Sequence, residues 1–346
     1  MILVLNTGSS SIKTALFDAQ LDPVASRTVT EVTSPVRAIV DLLRHYRAQG
    51  HRLTAVAHRV VHGGETLTAP VRVTPRIRTE LDRLAPLAPL HNPPALTGID
   101  TISDLHPDLP QVAVFDTAFH ATNPTVATTY AIPPHAGLRR YGFHGISYAG
   151  LVADLDPLPD RLLALHLGNG ASLCAIREGH SVATTMGYSP LDGLTMGTRP
   201  GSLDPNAVLR LAREHGIDGA AEMLNRRSGL LALGGASDMR ALAAAGTKEA
   251  RFAIGHFIHW AVRHAGSMVA AMGGLDGIAF TGGIGENDAT VRAGIMDGLA
   301  FLGLEFDPTA NATGSPILHT DRSRITAAIV PAREERTIAR AARDLL

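Results

Sequence analysis

The stretch ILVLNTGSSSIKTALFD, Ile2 to Asp18, decides the fold. Four apolar residues run into a turn of small polar ones, and period-two alternation resumes at Ile12, Thr14 and Leu16, which reads as strand, tight turn, strand. Gly8 with Ser9, Ser10 and Ser11 offers backbone N–H groups and hydroxyls to an anion, and Lys13 adds a positive charge. The GxxxxGK[ST] spacing of a Walker loop is absent and nothing helical follows, so the turn reads either as a phosphate-holding hairpin or as an ordinary polar one. The pattern recurs in LLALHLGNGASLCAIREG, Leu162 to Gly179, with Asn169, Gly170, Ala171 and Ser172 at the turn. Two such hairpins about half a chain apart indicate a duplicated α/β domain pair.

Length and charge fit that reading. The chain has 346 residues, enough for two domains and a sizeable core. Its net charge of −1 and lack of a long like-charge run argue against nucleic acid or an acidic membrane surface as partner. Cys174 is the only cysteine, which rules out an internal disulfide framework and suits a reducing cytoplasm. No secretory signal is apparent at the start. The longest helical pattern, Lys248 to Met272, carries too many charged and histidine side chains for a lipid-facing span. His58 and His62 stand four apart, but their β-branched neighbours favour a strand over a zinc-binding helix face.

Along the first half, Pro23 to Thr30 reads as a third strand. Ser34 and Pro35 open a helix with apolar positions Val36, Ile39, Val40 and Leu43. LTAVAHRVVH, Leu53 to His62, returns to strand and ends in Gly63 and Gly64, placing Arg59 near a strand end, where α/β sites are assembled. A second short helix opens at Thr74 and Pro75. Proline-rich LAPLHNPPAL puts Leu90 on a constrained loop before a helix to Leu105, and QVAVF ends in Asp116, which could serve a site or cap a helix.

In the second half, His144 stands at a glycine-flanked helix entrance. After a strand from His180, Met186 to Pro205 is a long Gly- and Pro-rich loop whose one basic residue is Arg199. A helix is expected from Pro205 to about His215. Gly-rich turns are expected before Asp238 and at Gly282, Gly283 and Gly285, and the chain closes with a strand near Ile325 and an amphipathic helix from Glu334.

Ten motifs then occur in order: NTGSSSIK (6–13), HRVVHGGE (58–65), PLHNPP (89–94), VFDTAFH (114–120), YGFHGIS (141–147), HLGNGAS (166–172), MGTRPGSLDP (196–205), SDMR (237–240), TGGIGEN (281–287) and VPAREE (330–335). Together they resemble the acetokinase family of the actin-like ATPase superfamily. The resemblance implies two ribonuclease-H-like α/β domains facing a cleft, paired into a homodimer. An N-terminal acetokinase domain would comprise residues 1–118 plus 332–346, and a nucleotide-binding domain residues 119–331. The implied reaction is reversible phosphoryl transfer from Mg-ATP to acetate, giving acetyl phosphate and ADP, with Mn2+ an alternative metal. The alternatives are a propionate or butyrate kinase of the same mechanism, and a catalytically silent actin-like nucleotide-binding protein.

By the same resemblance, Asp116, His144 and Arg199 are catalytic, while Arg59, Val61, Leu90 and Pro190 hold the acetate. Lys13, His166, Leu167, Gly168, Asn169, Gly170, Asp238, Met239, Arg240, Gly283, Ile284, Gly285, Glu286 and Asn287 face the nucleotide, and Asn6 and Glu334 the metal. The chain departs from the family pattern in its shorter segment before HRVVHGGE, in Ser202 where aspartate is usual, in Tyr148 where histidine is usual, and in AREE for NEE.

Overall fold

A computed structural model describes residues 1–8 and 11–346. Ser9 and Ser10 of the first turn lie outside the described residues. The chain divides into two compact units: residues 1–121, 145–150 and 333–346, and residues 122–144 and 151–332.

The first unit is built on a six-stranded sheet of order β3-β2-β1-β4-β6-β5. Its strands are β1 (Ile2–Thr7), β2 (Ser11–Phe17), β3 (Pro23–Thr30), β4 (Ala55–Val60), β5 (Val71–Arg72) and β6 (Gln111–Phe115). The expected hairpin is there: β1 pairs antiparallel with β2, from Ile2 opposite Phe17 to Thr7 opposite Ile12. On its other side β1 runs parallel to β4, and β4 to β6. Helices α1 (Pro35–Ala48), α2 (Pro75–Leu84) and α3 (Asn92–Leu105) make the crossovers.

Helix α1 is capped by Ser34, which accepts from the Arg37 amide at 3.4 Å. Its buried stripe is Ile39, Leu42, Leu43 and Tyr46. The sequence pattern places the stripe at Val36, Ile39, Val40 and Leu43, but Val36 is exposed. The helix is rotated because Tyr46 inserts its ring and bonds Thr14 through the hydroxyl at 2.7 Å, which satisfies the buried polar atom.

The opposite face of the sheet is covered by the C-terminal helix α13 (Glu334–Leu345), which buries Ile338, Ala339 and Ala342. These pack on Ile2, Val4, Ala55, Ala57, Val112 and Val114, every second residue of β1, β4 and β6. Alternation therefore carries Asn6 and Arg59, each one step beyond, onto the same face.

His58 points the other way and is buried, with Nε2 2.7 Å from Gln111 Oε1. Desolvation by burial is the larger influence, against the Gln111 bond, and pulls its pKa from 6.5 down to about 4. The folded ring is thus neutral while the unfolded one protonates below pH 6.5. The resulting stability is complete above that pH and is lost as pH falls toward 4, amounting to about 3 kcal/mol. The urea midpoint should accordingly drop between pH 7.5 and 4.5. A flat midpoint across that range would show that the ring protonates in place.

The second unit repeats the plan with a five-stranded sheet of order β11-β10-β7-β8-β9. The short α4 (Thr125–Thr128) lies in this unit, and α5 (Gly145–Asp154) begins in the first unit and ends in this one. β7 (Arg161–Leu167), β8 (Ala171–Arg177) and β9 (His180–Thr184) follow, all antiparallel. β10 (Gly277–Thr281) and β11 (Thr326–Ile329) continue parallel on the other side of β7. Each sheet thus has a central strand with an antiparallel hairpin on one flank and two parallel strands on the other, to which the first sheet adds the short antiparallel β5 at its edge, the duplication the sequence indicates.

The helices here are α6 (Pro205–Arg226), α7 (Gly229–Gly234), α8 (Met239–Ala245), α9 (Lys248–Met272), α10 (Gly282–Asn287), α11 (Ala289–Leu299) and α12 (Pro308–Thr313). The long α9 buries Ala250, Ala253, Phe257, Ala261, Ala265, Met268 and Met272, whose small residues allow close approach to β8. The helix expected to stop at His215 bends there, at Gly216 with φ +73°, and then continues to Arg226. Two stretches read as Gly-rich turns are short helices, α7 and α10, because tertiary packing offsets the poor helix propensity of glycine. Among the described residues no helix is long and apolar enough to cross a membrane. Cys174 is buried, and burial, against a Ser181 hydrogen bond, pushes its thiol up to about 12, so it is not a nucleophile at neutral pH.

Candidate active site

In the first unit the sequence-predicted residues form a row across the sheet on the α13 face. Lys13 of β2 is exposed and stands opposite Asn6 of β1. Arg59 is at the end of β4, Asp116 comes directly after β6, and Glu334 opens α13. Arg59 grips Asp116 with both arms of its fork, Nε to Oδ1 at 3.3 Å and Nη2 to Oδ2 at 2.6 Å. The Asp116 side chain is only 2 % exposed and that of Arg59 23 %. Burial works against the guanidinium charge. The carboxylates of Asp116, Glu334 and Glu335 outweigh it and hold the Arg59 pKa above its ordinary value.

Val61, just past β4, is half-buried, and Leu90 is 47 % exposed on the loop before α3. What fixes the loop after β4 is a reciprocal pair that sequence patterns do not reveal. The His62 amide donates to Asn92 Oδ1, and Asn92 Nδ2 donates to the His62 carbonyl, each at 3.1 Å. The Gly63 amide adds a 3.1 Å bond to Thr117 Oγ1. A Cβ on Gly63 would fall on the Leu67 carbonyl, so the tight turn requires glycine there. Pro190, the fourth residue assigned to acetate, belongs to the second unit.

The Asn6 amide oxygen and the Glu334 carboxylate are hard oxygen donors, a chemistry that suits Mg2+ held partly by waters and nucleotide phosphates.

In the second unit, His166 of β7 stands opposite Ser172 of β8, with Thr281 of β10 on its other side. His144, the residue before α5, adopts left-handed backbone with φ +59°, uncommon for a non-glycine residue. Its Nδ1 lies 2.8 Å from Ser172 Oγ, and its ring stacks on His166 at 4.1 Å. Leu167 is buried at the start of the β7–β8 turn. At Gly170 in that turn, a Cβ would sit 3.0 Å from Arg199 Nη2 and 3.1 Å from His144 Nε2, so the guanidinium and the imidazole converge on this one glycine.

Arg199 donates from Nη1 to the Pro190 carbonyl at 2.7 Å. Desolvation lowers its pKa, and among the described residues no carboxylate lies within ion-pair distance of it. A half-buried guanidinium, partly desolvated and with no carboxylate partner among the described residues, favours an incoming anion.

Around the hairpin turn the nucleotide-side residues gather unevenly. Gly168 approaches the Gly283 amide, and Gly197 approaches Asn169 and the Ser237 carbonyl so closely that a side chain there would collide with both. Gly282, at φ +79°, presses on the Leu167 carbonyl. Glu286 Oε1 accepts from the Gly282 and Ala332 amides at 3.0 and 2.9 Å, and Asn287 Nδ2 donates to the Gly283 carbonyl at 2.9 Å. These two side chains therefore shape the backbone of the turn at Gly282 and Gly283. Arg292, buried and unforeseen from sequence, donates to the Gly285 and Glu286 carbonyls and to Asn311 and locks that turn. Asp238 caps α8 through the Ala241 amide and pairs at the surface with Arg240, while Met239 is buried.

The comparisons with known proteins bear on the whole chain. A model described as the acetokinase family matches residues 24–340. The acetate kinase of Leifsonia xyli subsp. xyli is 42 % identical over a 387-residue alignment that covers 99 % of this chain and 98 % of that protein. The crystal structure of Porphyromonas gingivalis acetate kinase superposes with a TM-score of 0.91 at 34 % identity, covering 98 % of both chains. A propionate kinase from Francisella tularensis gives 0.92 at 33 % identity, covering 100 % of this chain and 99 % of that one. The two sheets thus make up the two-domain α/β architecture of the actin-like ATPases, and the chain belongs to the acetokinase family of phosphotransferases.

Proposed function

We propose that this chain transfers the γ-phosphoryl group of ATP reversibly to acetate, giving acetyl phosphate and ADP. The observation that carries the reading is the half-buried Arg199, which has no carboxylate partner among the described residues and converges with His144 on Gly170. A carboxylic acid with a pKa near about 4 to 5 is already ionised at neutral pH, so the acceptor needs no general base. The obstacle is repulsion between two anions, met by preplaced cations and donors around the group in flight. Arg199 and His144 stabilise the charge that develops on the transferring phosphoryl. Arg59 faces the acceptor carboxylate, and Asp116 orients that arginine rather than taking a proton. The hairpin turn at 166–170, the Gly283–Gly285 backbone, the 238–240 segment and Lys13 hold the nucleotide. Asn6 and Glu334 would hold Mg2+ or Mn2+ at the phosphates, where the ion supplies charge neutralisation.

The further parts of the proposal are a first domain of residues 1–118 plus 332–346 for the acyl substrate, a second of residues 119–331 for the nucleotide, a homodimer, and a cytoplasmic setting. The lone buried Cys174 suits a reducing compartment.

A second reading, propionate or butyrate as acceptor, is favoured by the likeness to a propionate kinase. Trapping the acyl phosphate with hydroxylamine after incubation with Mg-ATP and each acid in turn decides between them. Hydroxamate dominated by acetate supports the first reading, and dominance of a longer acid the second. No product with any acid despite ATP binding leaves a silent nucleotide-binding protein. Val61, with Leu90, is taken as a wall of the methyl pocket. Val61→Ala should raise the propionate-to-acetate ratio of kcat/KM roughly tenfold, within the range set by one methylene. An unchanged ratio removes Val61 from the wall.

A further inference from the structure

The segment from Thr185 to Asp204 contains no strand or helix, yet it must aim Arg199. Its course is fixed where the chain crosses itself. The Ser202 amide donates to the Gly193 carbonyl at 3.0 Å. Gly201, at φ +78°, passes so close that a Cβ would lie 2.5 Å from both the Gly193 and Leu194 carbonyls. Residues 193–202 are therefore a loop with a pinched neck. Arg199 stands beyond the neck, its carbonyl accepting from the Met196 amide at 3.0 Å, and its side chain returns to the neck to reach the Pro190 carbonyl.

One carboxylate ties the neck. Asp192 Oδ1 accepts from the Gly193 amide and from Ser202 Oγ, both at 2.8 Å. Asp192 Oδ2 accepts from Arg140 Nη1 at 2.9 Å, and the same nitrogen reaches the Thr185 carbonyl at 3.3 Å. The Arg140 guanidinium lies 5.2 Å over the Tyr130 ring, and the Tyr130 hydroxyl accepts from the Tyr188 amide at 2.9 Å. Thr185, Tyr188, Asp192 and Ser202 are thus all gathered on one half-buried ion pair. On the far side Thr195 Oγ1 lies 3.1 Å from His256 Nδ1 of α9.

We propose that Asp192 and Arg140 are positioning residues that clasp the neck of this loop and thereby hold the Arg199 guanidinium on the reacting group. Because Asp192 is neutralised by Arg140, the clasp supplies rigidity without giving Arg199 a counter-ion. Among the described residues the Arg199 side chain makes one hydrogen bond, so its aim depends on where the neck places the Pro190 carbonyl. Ser202 takes part as a donor to the same carboxylate, which assigns a role to the position where this chain departs from the family aspartate.

The inference rests on the reading of Arg199 as a phosphoryl-stabilising residue, and the test separates the two. Turnover with acetate is measured for the full-length wild type, Asp192→Ala, Arg199→Ala and the double variant. Asp192→Ala should lower kcat about tenfold to a hundredfold, as expected for a displaced catalytic group, with KM for acetate within about threefold. In the Arg199→Ala background the same substitution should change kcat less than about twofold, since residues acting as one unit are not additive. Asp192→Glu, which keeps the carboxylate, should recover most of the loss. Equal losses in both backgrounds, or unchanged turnover in Asp192→Ala, overturn the clasp. Near-normal turnover in Arg199→Ala overturns the reading of Arg199 and the clasp with it. Should Asp192→Ala fail to fold, Asp192→Asn keeps the shape and the same comparison applies.

Discussion

Arg199→Ala is expected to lower turnover by roughly 10³ or more, the scale at which arginine stabilises other phosphoryl transfers, while leaving the protein as stable as before or more so. The two halves of that expectation have one cause. Removing a desolvated charge normally strands its partner, but among the described residues the half-buried Arg199 side chain has no carboxylate partner, only the Pro190 carbonyl. Burial already disfavours its charged form. Deleting it therefore relieves a desolvation penalty in the resting protein and removes stabilisation only when an anionic group arrives. Turnover and thermal midpoint should move independently, the first sharply down and the second flat or upward. A variant that keeps its turnover would take Arg199 out of the reaction. A variant that loses activity and midpoint together would make it a structural residue.

The fold was legible where one pattern had one explanation. The alternation of Ile12, Thr14 and Leu16, and its echo after Gly170, specified both hairpins, because period two on either side of a polar turn has no helical reading. α9 was legible because Thr247 and Gly273 cap a pattern with helical spacing throughout. The rotation of α1 was not, since Val36 and Tyr46 are both plausible core residues, and only the cross-sheet partner Thr14 decides for Tyr46. α7 and α10 were hidden by their glycines, which are present for close approach rather than to break a helix. Among site residues, strand-end position picks out Arg59 and Asp116 separately. That each is the other's partner comes from the register of two strands far apart in sequence. Asn92, Arg292 and Asp192 left no sequence signal, because their work is to bond backbone carbonyls and amides that adjoin them only in the folded chain.

The Arg59–Asp116 pairing also alters the expected effect of truncating Arg59. A substrate arginine with a free fork would yield a variant that folds normally and only binds acetate poorly. Here both arms of the fork are already on Asp116, whose side chain is 2 % exposed, and Arg59→Ala takes both of those charge-assisted bonds from a nearly buried carboxylate. Breaking such a pair from one side destabilises by about 3 to 5 kcal/mol. The variant should therefore lose acetate-dependent turnover and also unfold at markedly lower urea. Removing both partners also removes the desolvated carboxylate that has lost its guanidinium, so Arg59→Ala/Asp116→Ala should be more stable than Arg59→Ala alone while remaining inactive. That inversion, a second deletion that restores stability without restoring activity, distinguishes a buried pair from two independent substrate contacts. Strictly additive losses of stability in the double variant would show that Asp116 does not depend on Arg59, and would return Arg59 to the role of a free carboxylate-binding fork.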